Sequence, residues 1–313
     1  MLKIHFLNVG HGDCVIVEFK DNNRVAMIDI NRSEDMDEKS KNEVYSSLKS
    51  RSSFLAEQGL LSINRTLLEK AGYDVALQDP ISYIEDNNIR SIFRFISSHP
   101  HMDHLTGLCE LKDRIGFSNI WIVDNAYKQD YTKLSESQKK DWNLYKSYRD
   151  TIENQVDDVT IIRPEEGSSA QFYREDGIYL LAPNDDLKDG AENNANKMSY
   201  VLLIKNKGRK ILLPGDAEKA TWEYLVENYN EDIKNIDILK AAHHGRDSGY
   251  HQPAVKLMSP VVTIVSVGKK PSTDSTNKYK QYCENVWSTR WKGNIVLEID
   301  DEGKMTYTTQ YDR

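Results

Sequence analysis

Ser98-His99-Pro100-His101-Met102-Asp103-His104 is the stretch on which the reading of this chain turns. It follows an apolar run, Ile89 to Ser97, that reads as a buried strand. Strand ends in layered α/β folds are where ligand-binding side chains project. Pro100 turns the residue before it away from helix, so the segment leaves the strand extended. Side-chain direction in an extended chain repeats every two residues, so His99 and His101 point the same way. A helix is expected to begin near Asp103, with Leu105, Leu108 and Leu111 as its buried positions. Asp103 would then accept backbone N–H bonds at the helix start as well as bind metal. Three of the eight histidines fall within six residues here, a concentration that a chance polar loop does not explain. Three imidazoles and a carboxylate suit Zn²⁺, Mn²⁺ or Fe²⁺.

Working outward, the segments before this stretch read as strands. Ile4 to Val9, Cys14 to Phe19 and Val25 to Ile30 are β-branched runs, separated by Gly10-His11-Gly12-Asp13 and by Asp21-Asn22-Asn23. Residues 32–80 are polar and then helical in period through Leu55, Leu60, Leu61, Leu67 and Leu68, which predicts an insertion of one or two short helices. A helix over 81–88 follows. Residues 126–156 form a second insertion, with Trp142, Tyr145 and Tyr148 on one helical face. That stripe reads as a packed face, not as a ligand cage. The second half follows the same pattern, with strands at 178–182, 200–204, 210–213, 236–241 and 261–267, a helix at 217–229, and a closing hairpin of 295–299 with 305–308. No Pro/Gly/Ser-rich linker divides the halves, which predicts one domain of two sheets with helices outside.

Composition narrows the function classes. The 313 residues suffice for a full hydrophobic core. The formal charge of −8 gives little of the counterion-release driving force for coating duplex DNA, although a metal site can still attract a single phosphate. Cys14, Cys109 and Cys283 are odd in number and far apart, which fits neither a disulfide framework nor a zinc ribbon. The N-terminal residues lack the apolar core of a signal peptide and no run is long enough to span a bilayer. A cytoplasmic protein without membrane association is the expectation.

Two further strand ends carry the same kind of residues. Leu212-Leu213-Pro214-Gly215-Asp216 sets a carboxylate after a buried strand, placed to bridge two metals, to cap helix 217–229, or to do both. Leu239-Lys240-Ala241-Ala242-His243-His244-Gly245-Arg246 sets imidazoles after another.

Together these pieces resemble the metallo-β-lactamase superfamily. Its pattern His-x-His-x-Asp-His matches His99, His101, Asp103 and His104; its later bridging Asp matches Asp216 and its final His matches His243. Asp29 resembles the early structural Asp that supports the metal loop. Asn8-Val9-Gly10-His11-Gly12-Asp13, Pro214-Gly215-Asp216 and His243-His244-Gly245 look closer still to the hydrolase domain attached to the bacterial DNA-uptake channel of the competence system, and to its free-standing relatives. The resemblance covers nearly the whole chain apart from the two insertions. It implies an α/β fold, a four-layer αββα sandwich (the metallo-β-lactamase fold), as a single domain 1–313 with helical insertions at about 32–80 and 126–156.

The resemblance also implies a mechanism. Two divalent metal ions, Zn or Mn, would lower the pKa of a shared water, and the resulting hydroxide would attack phosphorus or a carbonyl carbon. His99 and His101, with Asn196 as a weak ligand, hold the first ion; Asp103, His104 and His243 hold the second; Asp216 lies between them. Asp103 and His244 are the expected catalytic residues, His244 by stabilising the developing charge or protonating the leaving oxygen. Arg246 is a candidate for pairing with a phosphate oxygen. Asp13 orients a ligand His from behind. Two positions depart from the family pattern. Much of the superfamily has another His about twenty residues before the bridging Asp, where this chain reads Asn194-Ala195-Asn196-Lys197-Met198-Ser199. A weaker first ion, or a preference for Mn²⁺ over Zn²⁺, is expected from that. A loop His-Pro of the competence-type branch is replaced by Pro271-Ser272-Thr273-Asp274.

The implied function is a metal-dependent hydrolase, a phosphodiesterase or nuclease acting on a nucleic-acid end or a nucleotide. The same centre would serve a small-molecule hydrolase of a lactone, thioester or amide, and a low-turnover binding or regulatory module is the third reading. The insertions are expected to form a lid, or a surface for a protein partner or self-association.

Overall fold

Alternating apolar residues in short β-branched runs dictate sheets, and the computed structural model contains two large ones. It describes residues 1–33, 41–42, 46, 76–89, 91–189, 191, 194–268 and 273–311. The strands of the first half are β1 (Leu2–Phe6), β2 (Val15–Phe19), β3 (Arg24–Ile28), β4 (Ile30–Asn31), β5 (Ile92–Ile96), β6 (Leu105–Thr106), β7 (Phe117–Trp121), β8 (Gln155–Val156) and β9 (Val159–Ile162). Those of the second are β10 (Ile178–Ala182), β11 (Val201–Asn206), β12 (Arg209–Leu213), β13 (Ile238–Lys240), β14 (Val262–Val265), β15 (Asn285–Ser288), β16 (Ile295–Ile299) and β17 (Met305–Thr309). The helices that cover the sheets include α1 (Pro80–Asp86), α2 (Leu108–Arg114), α3 (Glu136–Asp150), α4 (Lys219–Asn228) and α5 (Gln252–Met258).

The larger sheet runs β17-β16-β1-β2-β3-β5-β7-β9-β8, and the smaller β10-β11-β12-β13-β14-β15. Each begins with antiparallel neighbours and continues in parallel, from β3 to β5 in one and from β12 to β13 in the other, and the larger sheet closes with β8 antiparallel to β9. Parallel strands send their carboxyl ends to one edge, where loops collect. The period of two then divides the side chains between two faces. Val17 and Ile28 join a core shared with Leu202, Ile211 and Leu213 of the smaller sheet. Ile16 and Met27 point the other way, into a core with Ile81 and Ile84 of α1, Leu108 and Leu111 of α2 and Trp142 of α3. Leu203 and Leu212 likewise face Trp222 and Leu225 of α4 and Met258 of α5. A buried charge links the sheets: Arg94 of β5 pairs with Asp176, just before β10, at 2.8 Å.

The aromatic stripe is a packed face. Trp142, Tyr145 and Tyr148 are all buried, with the Trp142 and Tyr145 rings stacked at 5.3 Å. The helices expected within 32–80 fall almost wholly outside the described residues, and the segment ends in α1, capped by the Asp79 side chain.

Three of the boundaries that differ from the sequence reading bear on the polar loops, each for a local reason. The helix expected near Asp103 starts only at Leu108. Met102–His104 is a single 3₁₀ turn, and Leu105–Thr106 pairs with Ile30–Asn31 before Gly107 admits the helix. The strand expected over 25–30 breaks at Asp29, whose φ of 59° ends the ladder, so that Ile30 and Asn31 form a separate two-stranded sheet. The helix expected at 217–229 begins at Lys219, with Glu218 and not Asp216 in the capping position. Among the described residues no helix is long and apolar enough to cross a membrane.

Candidate metal centre

The carboxyl ends of β3, β5, β12 and β13 deliver the polar side chains to one place. After β3, the left-handed backbone at Asp29 turns its carboxylate beneath the loop that follows β5, a conformation Asp tolerates through its short polar side chain. There it accepts hydrogen bonds from Ser98 N at 2.7 Å and Ser98 Oγ at 2.6 Å, and pairs with His104 Nδ1 at 2.8 Å. A proton held on Nδ1 leaves His104 Nε2 as the ligand atom, and that atom is buried without a hydrogen-bond partner. The turn between β1 and β2 brings in Asp13. It lies so close to the metal loop that a Cβ on Gly12, where φ is +147°, would sit 2.4 Å from Asp103 O. Only glycine permits this approach.

Asp216, after β12, is the hub. Around its Oδ2 stand His104 Nε2 at 3.5 Å, His244 Nε2 at 3.6 Å, His243 Nε2 at 3.7 Å and His99 Nε2 at 3.8 Å. These separations are too long for good hydrogen bonds. They are near the roughly 3.4 Å between two donors on one tetrahedral ion with bonds of about 2.1 Å. Asp13, His104, Asp216 and His244 each offer an atom within 4.8 Å of the others, and so do His11, Asp103 and His244. His101 Nδ1 lies 3.0 Å from His99 Nε2.

The electrostatics ask for cations. Asp13, Asp29 and Asp216 are almost completely buried, and Asp103 stands beside them. One buried lysine, Lys240 at the end of β13, pairs with Asp13. Burial opposes charge on His104, yet Asp216, Asp29 and Asp103 outweigh it and hold its pKa well above the ordinary value. Burial likewise opposes charge on His244, but Asp216 and Asp13 push it up to about 10. Two imidazoles forced to carry an extra proton mark where a divalent ion would relieve the same carboxylates. The orphaned buried atoms His104 Nε2, His244 Nε2 and Asp216 Oδ1 fit that demand, and the mixed N/O donor set suits Zn²⁺, Mn²⁺ or Fe²⁺.

The residues singled out from sequence take these positions. His99, His101, Asp103, His104, Asp216, His243 and His244 surround one space, with Asp29 and Asp13 behind the rings of His104 and His244. The resemblance read from the sequence implies His243 beside Asp103 and His104. The imidazole nearest Asp103 is instead that of His244, whose Nε2 is 3.3 Å from Asp103 Oδ2. Asn196 is buried, its amide donates to Glu218 Oε1 at 3.1 Å, and its Oδ1 has no partner.

Four residues escape sequence reasoning. Lys240 reads there only as part of a strand. Glu218 holds His243 Nδ1 at 3.4 Å, and its pKa is pulled down to about 2 by that contact first and by Asn194 and Asn196 against its burial. Ser248 Oγ also reaches His243 Nδ1, at 2.7 Å. His11 sits at the rim, its ring 4.9 Å from His244, and Arg246 Nη2 lies 3.1 Å from its Nε2. Burial first, and then the His244 charge, lower the His11 pKa to about 4, so the neutral ring accepts that bond. Charged residues inside otherwise apolar or turn segments are the available signal for Lys240 and Glu218.

No family model and no curated protein matches the chain. Solved structures similar to it include Igni18, a novel metallo hydrolase from the hyperthermophilic archaeon Ignicoccus hospitalis, at 13% identity and a TM-score of 0.45, covering 97% of this chain and 98% of that one. A new diphosphatase from the PhnP family is similar at 12% identity and a TM-score of 0.46, covering 96% and 98%. CmlA, a diiron β-hydroxylase from Streptomyces venezuelae, is similar at 11% identity and a TM-score of 0.45, covering 94% of this chain and 54% of that one. The likeness is one of general shape, and the chemistry is read from the side chains.

Proposed function

We propose that this chain is a metal-dependent hydrolase of the metallo-β-lactamase superfamily, close to its competence-type branch, using two divalent ions, Zn²⁺ or Mn²⁺. The observation that carries the reading is the ring of four imidazole nitrogens 3.5–3.8 Å from Asp216 Oδ2. The separate cores, one between the sheets and one under the helices of each outer face, support an αββα layer order in a single domain. Bound ions would supply a water acidic enough to attack at neutral pH and a counter-charge for the substrate oxygen.

The protein's own groups do the positioning. Asp216 bridges. Asp29 fixes the tautomer of His104, and Asp13, itself compensated by Lys240, backs His244. The substrate class we infer is a phosphodiester, either a nucleic-acid end or a nucleotide. Arg246 supports it: bonded to a neutral His11 beside Asp103, its guanidinium stands at the rim and suits a phosphate oxygen.

The test is turnover by the purified chain with Mn²⁺ or Zn²⁺ of labelled single-stranded DNA, RNA and bis-p-nitrophenyl phosphate, beside a lactone and a thioester. Phosphodiester cleavage that is lost in Asp216→Asn is the expected result. Lactone or thioester turnover without any phosphodiester cleavage would overturn the substrate class. Metal-independent activity would overturn the mechanism.

A further inference from the structure

Adjacent histidines rarely share one task, because successive side chains usually diverge. Here the backbone forces them together. His243 has φ 49° and ψ 47°, and His244 has φ 53° and ψ 30°. Two consecutive non-glycine residues in the left-handed region cost roughly 1–2 kcal/mol each. The turn is tied down by His243 N donating to Gly215 O at 3.2 Å and Arg246 N to His243 O at 3.0 Å. It carries both rings to Asp216, with their centroids 6.2 Å apart.

Each ring is locked through its Nδ1, by different neighbours. His243 Nδ1 is held by Ser248 Oγ and Glu218, and His244 Nδ1 by Ser266 O at 3.1 Å and Asp13 Oδ1 at 3.5 Å. Both Nε2 atoms are thereby freed, and both face Asp216 Oδ2, at 3.7 and 3.6 Å. Their companions then differ. His244 Nε2 lies 3.3 Å from Asp103 and 3.6 Å from Asp216, and His104 Nε2 lies 3.9 Å and 3.5 Å from the same two carboxylates, so these residues together offer the four donors of a tetrahedral ion. The His99–His101 pair, with Asp216, is one donor short of the same count. His243 is held from its Nδ1 side by Glu218 at 3.4 Å, whose carboxylate is clamped by Asn196 at 3.1 Å and Asn194 at 2.8 Å.

We propose that the tandem is split between two ions: His243 completes the set of His99, His101 and Asp216, and His244 completes that of Asp103, His104 and Asp216. Glu218 is the positioning residue that aims His243, with the two asparagines fixing its carboxylate. The inference rests on the metal-dependent reading above and adds which ring serves which ion. It gives Asn194 and Asn196 a role as supports of a ligand that arrives from a different strand end.

The test counts ions in the whole chain, by equilibrium dialysis and elemental analysis with Mn²⁺ and with Zn²⁺, so that no turnover is needed. His243 is partly exposed, which makes His243→Ala a mild change to the fold. Two ions in the wild type, one in His243→Ala, one in the double variant His101→Ala/His243→Ala and none in Asp103→Ala/His243→Ala are expected. Glu218→Gln should weaken one ion about 10–100-fold and leave the other unchanged, the usual effect of losing a ligand's support. One ion in Asp103→Ala/His243→Ala and none in His101→Ala/His243→Ala would overturn the split. So would two ions held at wild-type affinity in His243→Ala, or a single ion in the wild type. No ion in the wild type would overturn the metal reading itself.

Discussion

Asp29→Asn isolates the support of one ligand from the rest of the centre. Asparagine tolerates the left-handed backbone at this position, where φ is 59°, so the chain path should be kept. One amide oxygen can still accept from Ser98 N. The other oxygen becomes an NH₂ group that faces Ser98 Oγ and His104 Nδ1, which lie 2.6 and 2.8 Å from the carboxylate oxygen. The serine hydroxyl can rotate to accept. His104 can do so only by moving its proton from Nδ1 to Nε2, the atom that faces Asp216 at 3.5 Å. The charge-assisted bond lost is worth about 1.5–3 kcal/mol. At about 1.4 kcal/mol per decade that is a fall of roughly 10–100-fold in metal affinity, in line with other losses of a supporting carboxylate. Chelator-competition titration of the stripped protein with Zn²⁺ and Mn²⁺ measures it, and circular dichroism confirms the fold. A folded variant that binds both metals as tightly as the wild type would refute the reasoning, because the tautomer would then be fixed by something other than Asp29.

Three further outcomes follow from the same geometry. Lys240→Met strands the buried Asp13 carboxylate and should cost about 3–5 kcal/mol in urea unfolding of the stripped protein, the usual result of breaking one side of a buried pair; an unchanged midpoint would remove Lys240 as the compensating charge. Trp142→Ala empties a fully buried site between α3 and the larger sheet and should cost about 3–5 kcal/mol, read as a lower melting temperature. Metal uptake should release protons at neutral pH. The raised pKa of His104, and that of His244 at about 10, mean that both rings of the stripped site are charged below those values and must lose a proton to bind an ion. Affinity should therefore rise with pH through the neutral range, and calorimetry in buffers of different ionisation enthalpy should show the release; a buffer-independent enthalpy would contradict it.

Much of the fold was legible because its signals are short-range. The expected strands at 178–182 and 210–213 coincide with β10 and β12 to within a residue, since short apolar runs bounded by turn residues read the same way in any context. Leu105, Leu108 and Leu111 are all buried, although the helix begins at Leu108. What the sequence could not convey were the interruptions. Left-handed backbone at Asp29, His243 and His244 carries no mark in a non-glycine residue, and Leu105–Thr106 is a strand only because Ile30–Asn31 arrives beside it.

The sequence by itself determined that imidazoles and carboxylates cluster at strand ends. His99, His101, Asp103 and His104 lie within six residues, and the period of two together with Pro100 governs how they leave the strand. Tertiary structure alone decided how those groups are shared out. Asp216 faces the imidazoles while Glu218 takes the place at the start of α4, and His244, not His243, meets Asp103. Lys240 compensates Asp13 from the other sheet, and Glu218 reaches His243 across the loop. The physical reason is range. Local backbone preference acts over a few residues, whereas the charge balance of a buried site is set by groups that only the packing of two sheets brings within a few ångströms.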